Sequence, residues 1–275
     1  MAGVPRRAAE HAAARARCAA AASAGAAAVT FADHFSAISA GYAAHRPHYP
    51  DDLFDFLAGV APARDAAWDA GTGTGQAAVG LARVFALVTA TDPSVSQIER
   101  AESRSNVAYR LARAEDSGLD DGSMDLVTVA QAVHWFDQPR FWSEARRVLK
   151  PRGVMAIWTY VTFEISPQID AIVQQFYSAV VGPFWAPERR QVETRYQTIS
   201  FPFQEFPAPR FVIEQQMSLA DVAGYVRTWS ATRGFMNHHH EDPVDALLKD
   251  LTRAWGTQPR RLARWPVAMR VGRVA

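Results

Sequence analysis

The fold is decided by one short stretch of sequence, Trp68-Asp69-Ala70-Gly71-Thr72-Gly73-Thr74-Gly75. The apolar run at its start, residues 66–70, predicts a β-strand, and the periodic pattern over 76–85 predicts a helix. The three glycines between them leave the backbone of the turn open to a ligand, because they carry no side chains. The stretch therefore predicts a nucleotide-like ligand at the end of the first strand.

Glycine spacing and the preceding acid narrow the choice of ligand. A dinucleotide-binding turn reads Gly-x-Gly-x-x-Gly, whereas this turn reads Gly-x-Gly-x-Gly with Asp69 two residues ahead. A carboxylate there repels a pyrophosphate but suits a ligand with an ammonium group, such as the methionine part of S-adenosylmethionine. Asp92, predicted at the end of the second strand, can accept hydrogen bonds from both hydroxyls of a ribose. The alternatives are a glycine turn without a ligand and an ordinary turn residue at Asp92.

Strand-like and helix-like segments alternate from about residue 64, which is typical of a parallel sheet with helices on both faces. A turn over 150–153 is predicted to end the helix after strand four. Further strands are predicted over 87–91, 106–111, 124–130, 154–160, 211–217 and 265–274, and further helices over 169–181, 219–229 and 243–255. We expect an α/β, Rossmann-like fold with a central, mostly parallel seven-stranded sheet and an antiparallel hairpin at its C-terminal edge.

The chain is predicted to hold one domain, residues 31–275, behind a low-complexity extension. In this domain, residues 31–62 are expected to form an N-terminal helical cap, 63–162 the ligand-binding core, and 163–275 a cap insertion with the last two strands. Residues 1–30 are rich in alanine and arginine, so they are interpreted as a disordered extension, with an organelle transit peptide as the alternative.

Composition excludes several classes of partner. The 29 basic residues nearly balance the 28 acidic ones, so no global charge favours nucleic acid. Apolar runs are too short to span a membrane. Cys18 is the only cysteine, which excludes an intrachain disulfide and a cysteine-based metal site. We expect a cytoplasmic protein, monomeric or homodimeric, that acts on a small molecule.

Beyond the core, three segments carry a resemblance to a known family. They are Phe31-Ala32-Asp33-His34-Phe35-Ser36 with residues 42–50, Gln131-Ala132-Val133-His134-Trp135-Phe136-Asp137, and residues 224–232 with 264–267. Together with residues 68–160, the chain resembles the class I S-adenosylmethionine-dependent methyltransferases. Within them it resembles the type 11 group and its trans-aconitate methyltransferase-like branch.

The resemblance implies a site for S-adenosylmethionine, whose product is S-adenosylhomocysteine. The glycine loop is expected to hold the methionine part, Asp92 the ribose, Ala114 with Glu115 the adenine, and Gln131 to border the sulfonium. Tyr42 and Arg46 are expected over the active site, Arg46 as a carboxylate anchor. The residues expected to bind the cofactor are Tyr42, Arg46, Asp69, Gly71, Gly73, Gly75, Asp92, Pro93, Ala114, Glu115 and Gln131.

His134 and Tyr42 are the candidate catalytic residues. A hydroxyl or amine acceptor needs a base, and His134 follows strand four, where a base would stand, whereas a carboxylate acceptor needs none. The alternatives are that His134 is a wall of the pocket and that Tyr42 is a packed aromatic residue of the cap. Residues 238–240 are three histidines in a predicted solvated loop, and no metal site is expected.

The expected function is methyl transfer to a small molecule, with a carboxylic acid as the preferred acceptor. A nicotinamide-dependent oxidoreductase and a non-catalytic protein that binds S-adenosylmethionine stay open as alternatives at this point.

Overall fold

The structure, a computed structural model, describes residues 47–274. Tyr42, Arg46, the segment 31–46 of the predicted cap and the extension 1–30 lie outside the described residues. Their predicted roles are therefore untested by the fold.

One mixed sheet organises the described residues. Strands β1 to β5 are parallel, in the order β3-β2-β1-β4-β5, and β8 pairs antiparallel with β5 and also with β6 and β7. The strands are β1 Ala66–Ala70, β2 Leu87–Asp92, β3 Val107–Leu111, β4 Met124–Ala130, β5 Leu149–Thr159, β6 Gln204–Glu205, β7 Phe211–Met217 and β8 Arg261–Arg273. The predicted α/β fold with an antiparallel edge is confirmed, and the two-residue β6 adds an eighth strand.

Helices cover both faces of this sheet and build a cap beyond β5. They are α1 Asp51–Val60, α2 Gln76–Leu81, α3 Val95–Ile98, α4 Gln138–Val148, α5 Pro167–Gln175, α6 Arg189–Glu193, α7 Leu219–Arg227, α8 Ser230–His239 and α9 Val244–Trp255. Short 3-10 turns lie at Val133–Trp135 and Gly182–Phe184, and α5 continues into a π-helical turn at Phe176–Val180.

Alternate residues of the strands point to opposite faces, as the strand period requires. In β1, Ala67 packs with α1 and α2 on one face, whereas Trp68 packs with α4 on the other. Phe54 of α1 fills the space beside Gly80 of α2, where an added Cβ would lie 2.1 Å from the ring. A third buried cluster joins the cap helices α5, α7, α8 and α9 to the end of β5. The sheet thus carries a core on each face, and the cap has one of its own.

Three local predictions were wrong. The first helix ends at Leu81 instead of residue 85, because the side-chain amide of Asn106 binds the carbonyls of Ala82 and Phe85 and fixes a turn there. The predicted turn at 150–153 is a bulge within β5: Leu149 already pairs with Met124, and the register then shifts.

The three histidines form no loop. His238 and His239 are exposed in the last turn of α8, and His240 ends that helix in the left-handed conformation. This helix was missed because its sequence contains Gly234, a poor helix former, which here packs closely against Phe184. Within residues 47–274, no helix is both long and apolar enough to cross a membrane.

Candidate active site

The glycine loop between β1 and α2 adopts a backbone that other residues avoid. Gly71, Gly73 and Gly75 have φ values of 66°, 57° and 88°, all in the left-handed region. An added Cβ at Gly71 would lie 2.8 Å from Ala132 Cβ, and one at Gly75 would lie 2.2 Å from Tyr109 Oη. At Gly73 the nearest atom, Gln97 Oε1, is 3.9 Å away. Gly71 and Gly75 thus pack the loop tightly, whereas Gly73 leaves its backbone approachable.

Asp69 lies beneath this loop and is almost fully buried. Its two carboxylate oxygens accept hydrogen bonds from the hydroxyls of Thr72, at 2.6 Å, and Thr128, at 2.8 Å. Burial raises the pKa of the Asp69 carboxyl to about 6, although the two hydroxyls offset part of the rise. Asp69 therefore links the loop to β4 through hydrogen bonds. Its contact with an ammonium group of the ligand stays a prediction.

Asp92 ends β2 beside the same loop. Its Oδ2 accepts the backbone N–H of Gly73 and its Oδ1 that of Ser94, each at 2.9 Å. The carboxylate of Asp92 is therefore fixed between the loop and the segment after β2. Pro93 lies between Asp92 and Ser94, the residue whose backbone N–H Asp92 accepts. The geometry brings Asp92 and the glycine loop together, as expected for a ribose site.

The loop after β3 holds Ala114, which is buried, and Glu115. Glu115 Oε1 accepts the backbone N–H of Asp137 at 2.8 Å, and Asp137 caps the N-terminus of α4 by accepting the N–H of Arg140. The Glu115 carboxylate is thus engaged with the protein itself. The adenine contact predicted for these two residues stays a prediction.

Gln131 follows β4 in a left-handed conformation, with φ 57°, which is strained for a residue with a side chain. Its Nε2 donates to the carbonyl of Tyr160 at 2.9 Å, and its Oε1 accepts from Thr159 Oγ1 at 2.5 Å. The side chain is therefore fixed across the C-terminal ends of β4 and β5. Thr159 was missed in the sequence, where it is one of several threonines in strands.

His134 lies in the 3-10 turn after Gln131 and is buried. Its Nδ1 is 2.9 Å from the phenol oxygen of Tyr196, a fully buried residue of the cap. Burial, together with the positive charge of Arg189, lowers the pKa of His134 to about 3. The ring is therefore neutral near pH 7. No sequence signal indicated Tyr196, because it comes 62 residues later in the chain.

Arg189, the first residue of α6, is a second residue that the sequence did not indicate. Its Nε donates to Tyr177 Oη at 2.9 Å and its Nη2 to the carbonyl of Val161 at 2.8 Å. The guanidinium carbon also lies 4.5 Å from the ring centre of Trp185, a cation–π contact. A fixed positive charge thus stands just beyond the end of β5, near enough to His134 to lower its pKa.

Metal ligation has no support in the described part of the chain. Within residues 47–274, no three His, Cys, Asp or Glu side chains are grouped in a way that could hold a metal ion.

The ends of β1, β2 and β4 form a crevice at the switch point of the sheet, where open α/β sheets bind their ligands. Its residues fit S-adenosylmethionine: an open backbone at Gly73, a buried carboxylate at Asp69 for a cationic ligand, and a carboxylate at Asp92, at the end of β2, for a ribose. Residues 71 and 132 nearly touch, so the loop and the segment that holds Gln131 border the same crevice.

Comparisons with known proteins agree with this chemistry. A family model described as a methyltransferase domain, type 11, matches residues 68–157. A Dictyostelium discoideum protein with a methyltransferase name is 37% identical over 231 residues, covering 82% of this chain and 88% of its own. The solved structure of an Anaeromyxobacter dehalogenans protein described as a type II methyltransferase is 44% identical with a TM-score of 0.78, and the match covers 83% of this chain and 97% of that protein.

A methyltransferase of Mycobacterium tuberculosis, itself uncharacterised, is 38% identical over 125 residues, which are 45% of this chain and 50% of that protein. None of these similarities addresses the trans-aconitate methyltransferase-like branch, which stays a prediction. The family identifies S-adenosylmethionine as the cofactor. The chain belongs to the class I S-adenosylmethionine-dependent methyltransferases and carries a type 11 methyltransferase domain.

Proposed function

We propose that this methyltransferase methylates a carboxylate oxygen of a small organic acid, as in the trans-aconitate methyltransferase-like branch. The family already implies a small-molecule acceptor and sets aside the nicotinamide-dependent oxidoreductase. Absence of a nucleic-acid partner, a cytoplasmic location and the oligomeric state stay predictions.

We propose that neighbouring segments of the chain bind different parts of S-adenosylmethionine. Gly71, Gly73 and Gly75 would hold the methionine part over Asp69, and Asp92 with Pro93 the ribose. The loop at 114–115 would receive the adenine, and Gln131 would border the sulfonium. S-adenosylmethionine supplies, when bound, an electrophilic methyl group on a positively charged sulfur. The protein contributes position and a protected environment, because an in-line displacement depends chiefly on how the two reactants are held.

The weak basicity of His134 is the observation that favours a carboxylate as the acceptor. A hydroxyl or amine acceptor gives up a proton and needs a base whose pKa is near the working pH. The pKa of His134 is lowered to about 3 by burial, so the ring has little tendency to take a proton at pH 7. A carboxylate is already ionised at that pH and needs no base. This favours His134 as a wall of the acceptor pocket.

Arg189 supports the same acceptor class. Its guanidinium is held by Tyr177, Val161 and Trp185, so its position costs little further ordering when an anion binds. Arg46, for which the carboxylate anchor was first predicted, lies outside the described residues. We propose Arg189 as an anchor of the acceptor carboxylate, with Arg46 and Tyr42 as further candidates over the site.

The test is a transfer assay with S-adenosylmethionine labelled in its methyl group. A panel of di- and tricarboxylic acids would be compared with the corresponding amides and alcohols. We expect the label in a product that base hydrolyses, which identifies a methyl ester. Label found only in amines, alcohols or RNA would contradict a carboxylate acceptor. His134→Gln adds a second arm: turnover within about threefold of wild type is expected for a wall, whereas a base contributes 10² or more, roughly.

A further inference from the structure

Arg189 and Glu193 are the first and last residues of α6, at the i, i+4 spacing where opposite charges on a helix usually pair. Within residues 47–274 neither of them forms an ion pair. The phenol of Tyr177 lies between them: its oxygen is 2.9 Å from Arg189 Nε and 2.8 Å from Glu193 Oε1. A neutral side chain thus separates a cation from the carboxylate one helical turn away.

The direction of both hydrogen bonds follows from the groups at their ends. A guanidinium only donates, and a carboxylate only accepts. The Tyr177 oxygen must therefore accept from Arg189, and its single proton goes to Glu193. Burial raises the pKa of the Tyr177 phenol to about 12, so the phenol keeps that proton near pH 7. Glu193 thus has a hydrogen-bond donor without any contact with the guanidinium.

The cap fixes the phenol in this place. Tyr177 lies in the π-helical turn Phe176–Val180, a rare conformation that is frequent at functional sites. The carbonyl of Tyr177 accepts the indole N–H of Trp185 at 3.2 Å, and the two rings lie 4.8 Å apart. The same indole carries the Arg189 guanidinium over its face. Tyr177, Trp185 and Arg189 therefore form one packed unit.

The guanidinium of Arg189 keeps donors that the cap does not use. Its Nε and Nη2 donate within the cap, whereas Nη1 makes no hydrogen bond within residues 47–274. Helix α6 lies against the segment after β4, where Gln191 Oε1 accepts from Gln138 Nε2 at 2.7 Å. Burial and the Arg189 charge together lower the pKa of His134 in that segment. A positive charge without a carboxylate partner therefore stands near His134.

We propose that Tyr177 is a positioning residue for the methyl acceptor: it keeps Glu193 from pairing with Arg189 and so leaves the guanidinium for the carboxylate of the substrate. This inference rests on the proposed function, in which Arg189 anchors that carboxylate. A direct ion pair with Glu193 would compete with the acceptor for the same donors. The phenol oxygen holds Nε in place without cancelling the charge.

Tyr177→Phe removes the phenol oxygen and keeps the ring. Arg189 and Glu193 then each lack a partner, and we expect them to pair directly. In the assay of ester formation, KM for the carboxylate acceptor should rise about fivefold, because one charged contact is weakened, while kcat stays within about twofold. Adding Glu193→Gln to Tyr177→Phe should restore KM to within about twofold of wild type, because the competing carboxylate is gone.

Glu188→Gln in the Tyr177→Phe background is the matched control. Glu188 is the exposed neighbour of Arg189 in the chain, so its substitution removes the same charge from the same segment. It should leave KM raised. Glu193→Gln alone should change KM less than about twofold, because its amide oxygen still accepts the phenol proton.

A crystal structure of Tyr177→Phe tests the separation of the two charges without an acceptor. We expect a nitrogen of Arg189 within about 4 Å of a carboxylate oxygen of Glu193. The proposal is overturned if the two groups stay apart in that structure, or if Glu193→Gln restores KM no better than Glu188→Gln.

Glu193→Gln alone decides if Tyr177→Phe does not fold. A phenol that separates the charges leaves Arg189 insensitive to Glu193, so a KM lowered by more than about threefold would overturn the proposal. If no carboxylic acid is methylated, or if Arg189→Gln leaves KM unchanged, the proposed function fails. The structure of Tyr177→Phe then still shows whether the phenol keeps Arg189 and Glu193 apart.

Discussion

The two sides of the crevice are built in opposite ways. On the cofactor side, the glycine loop, Asp69 and Asp92 are close together in sequence, and Asp92 is held by backbone N–H groups of Gly73 and Ser94. On the acceptor side, His134 follows β4, whereas Arg189 and Tyr196 come from the cap, and a side-chain hydrogen bond joins His134 to Tyr196. One side is a local backbone structure, whereas the other exists only when the cap is folded onto the sheet.

Substitutions should therefore have different effects on the two sides of the crevice. The cofactor side depends on left-handed backbone angles and on packing without side chains, so nearly any substitution there affects binding directly. The acceptor side depends on hydrogen bonds and stacking between aromatic, basic and hydroxyl side chains. Each of these side chains can be substituted without changing the backbone around it. Four predictions test the separation, from the largest expected effect to the smallest.

Gly75→Ala should abolish most cofactor binding. The new Cβ would lie 2.2 Å from Tyr109 Oη, at a φ of 88° that alanine resists. We expect the affinity for S-adenosylhomocysteine to fall by about 30-fold or more, as about 2 kcal/mol of strain would cause. Titration calorimetry measures this affinity. Gly59→Ala, on α1 with no atom within 4 Å of the new Cβ, is the control and should bind normally. Equal binding by both variants would contradict the role of the loop.

Acidification should weaken cofactor binding through Asp69. Its folded-state pKa is raised from 3.8 to about 6, so the stability gained by proton uptake is present below about pH 4 and is lost as the pH rises through 6. Binding of the ligand has the opposite pH dependence, because its ammonium group favours the ionised carboxylate. We expect affinity for S-adenosylhomocysteine to fall about tenfold between pH 7 and pH 5.

Asp69→Asn is the control for this pH dependence. It cannot titrate, so its affinity, lower at pH 7, should be flat over the same range. A wild-type profile as flat as that of the variant would show that Asp69 does not respond to the ligand.

Arg189→Gln should affect only the acceptor side. Loss of the guanidinium is expected to raise KM for a carboxylate acceptor by about tenfold, the value of one charged contact, while binding of S-adenosylhomocysteine changes less than about twofold. Arg189→Lys keeps the charge but not the fork of donors and should lie between. Arg190→Gln, at the exposed neighbouring position, is the matched control. Equal losses of cofactor binding and acceptor binding would contradict the separation of the two sides.

Asp125→Asn should affect neither side. The buried Asp125 lies at the opposite end of the strands, where it accepts the N–H groups of Asp65 and Ala66 and pairs with Lys150 at 2.8 Å. Weakening these bonds is expected to lower the free energy of unfolding by about 1–3 kcal/mol. Urea denaturation measures this loss. The affinity of the folded protein for S-adenosylhomocysteine should stay at the wild-type value, and a large change in it would mean that the site depends on the whole sheet.

The sequence allowed the cofactor side to be predicted because its determinants are local. The spacing of three glycines, Asp69 and Asp92 reflects backbone geometry that few residues can adopt, and the strand pattern placed them at the same edge of the sheet. His134 and Gln131 were placed near the site only because they follow strand four and lie in a segment that resembles the family.

The acceptor side could not be predicted in this way. Tyr196 and Arg189 lie in a proline- and aromatic-rich stretch whose pattern indicates packing and no particular partner. Their roles arise from contacts with residues 28 to 62 positions away in sequence. Helix α8 was missed for a related reason, since its glycine and histidines are stabilised as a helix by packing against Phe184. Long-range contacts decide such features, and a local pattern does not contain them.

We propose that one crevice binds S-adenosylmethionine on the side of the glycine loop and holds the carboxylate of the acceptor on the side of the cap. The most direct measurement gives the enzyme S-adenosylmethionine with a deuterated methyl group in a cell metabolite extract and identifies labelled products by mass spectrometry. We predict deuterated methyl esters of small carboxylic acids that disappear on mild base treatment and are strongly reduced with Arg189→Gln. A deuterated methyl group found only on nitrogen, on alcohols or on macromolecules would contradict the account.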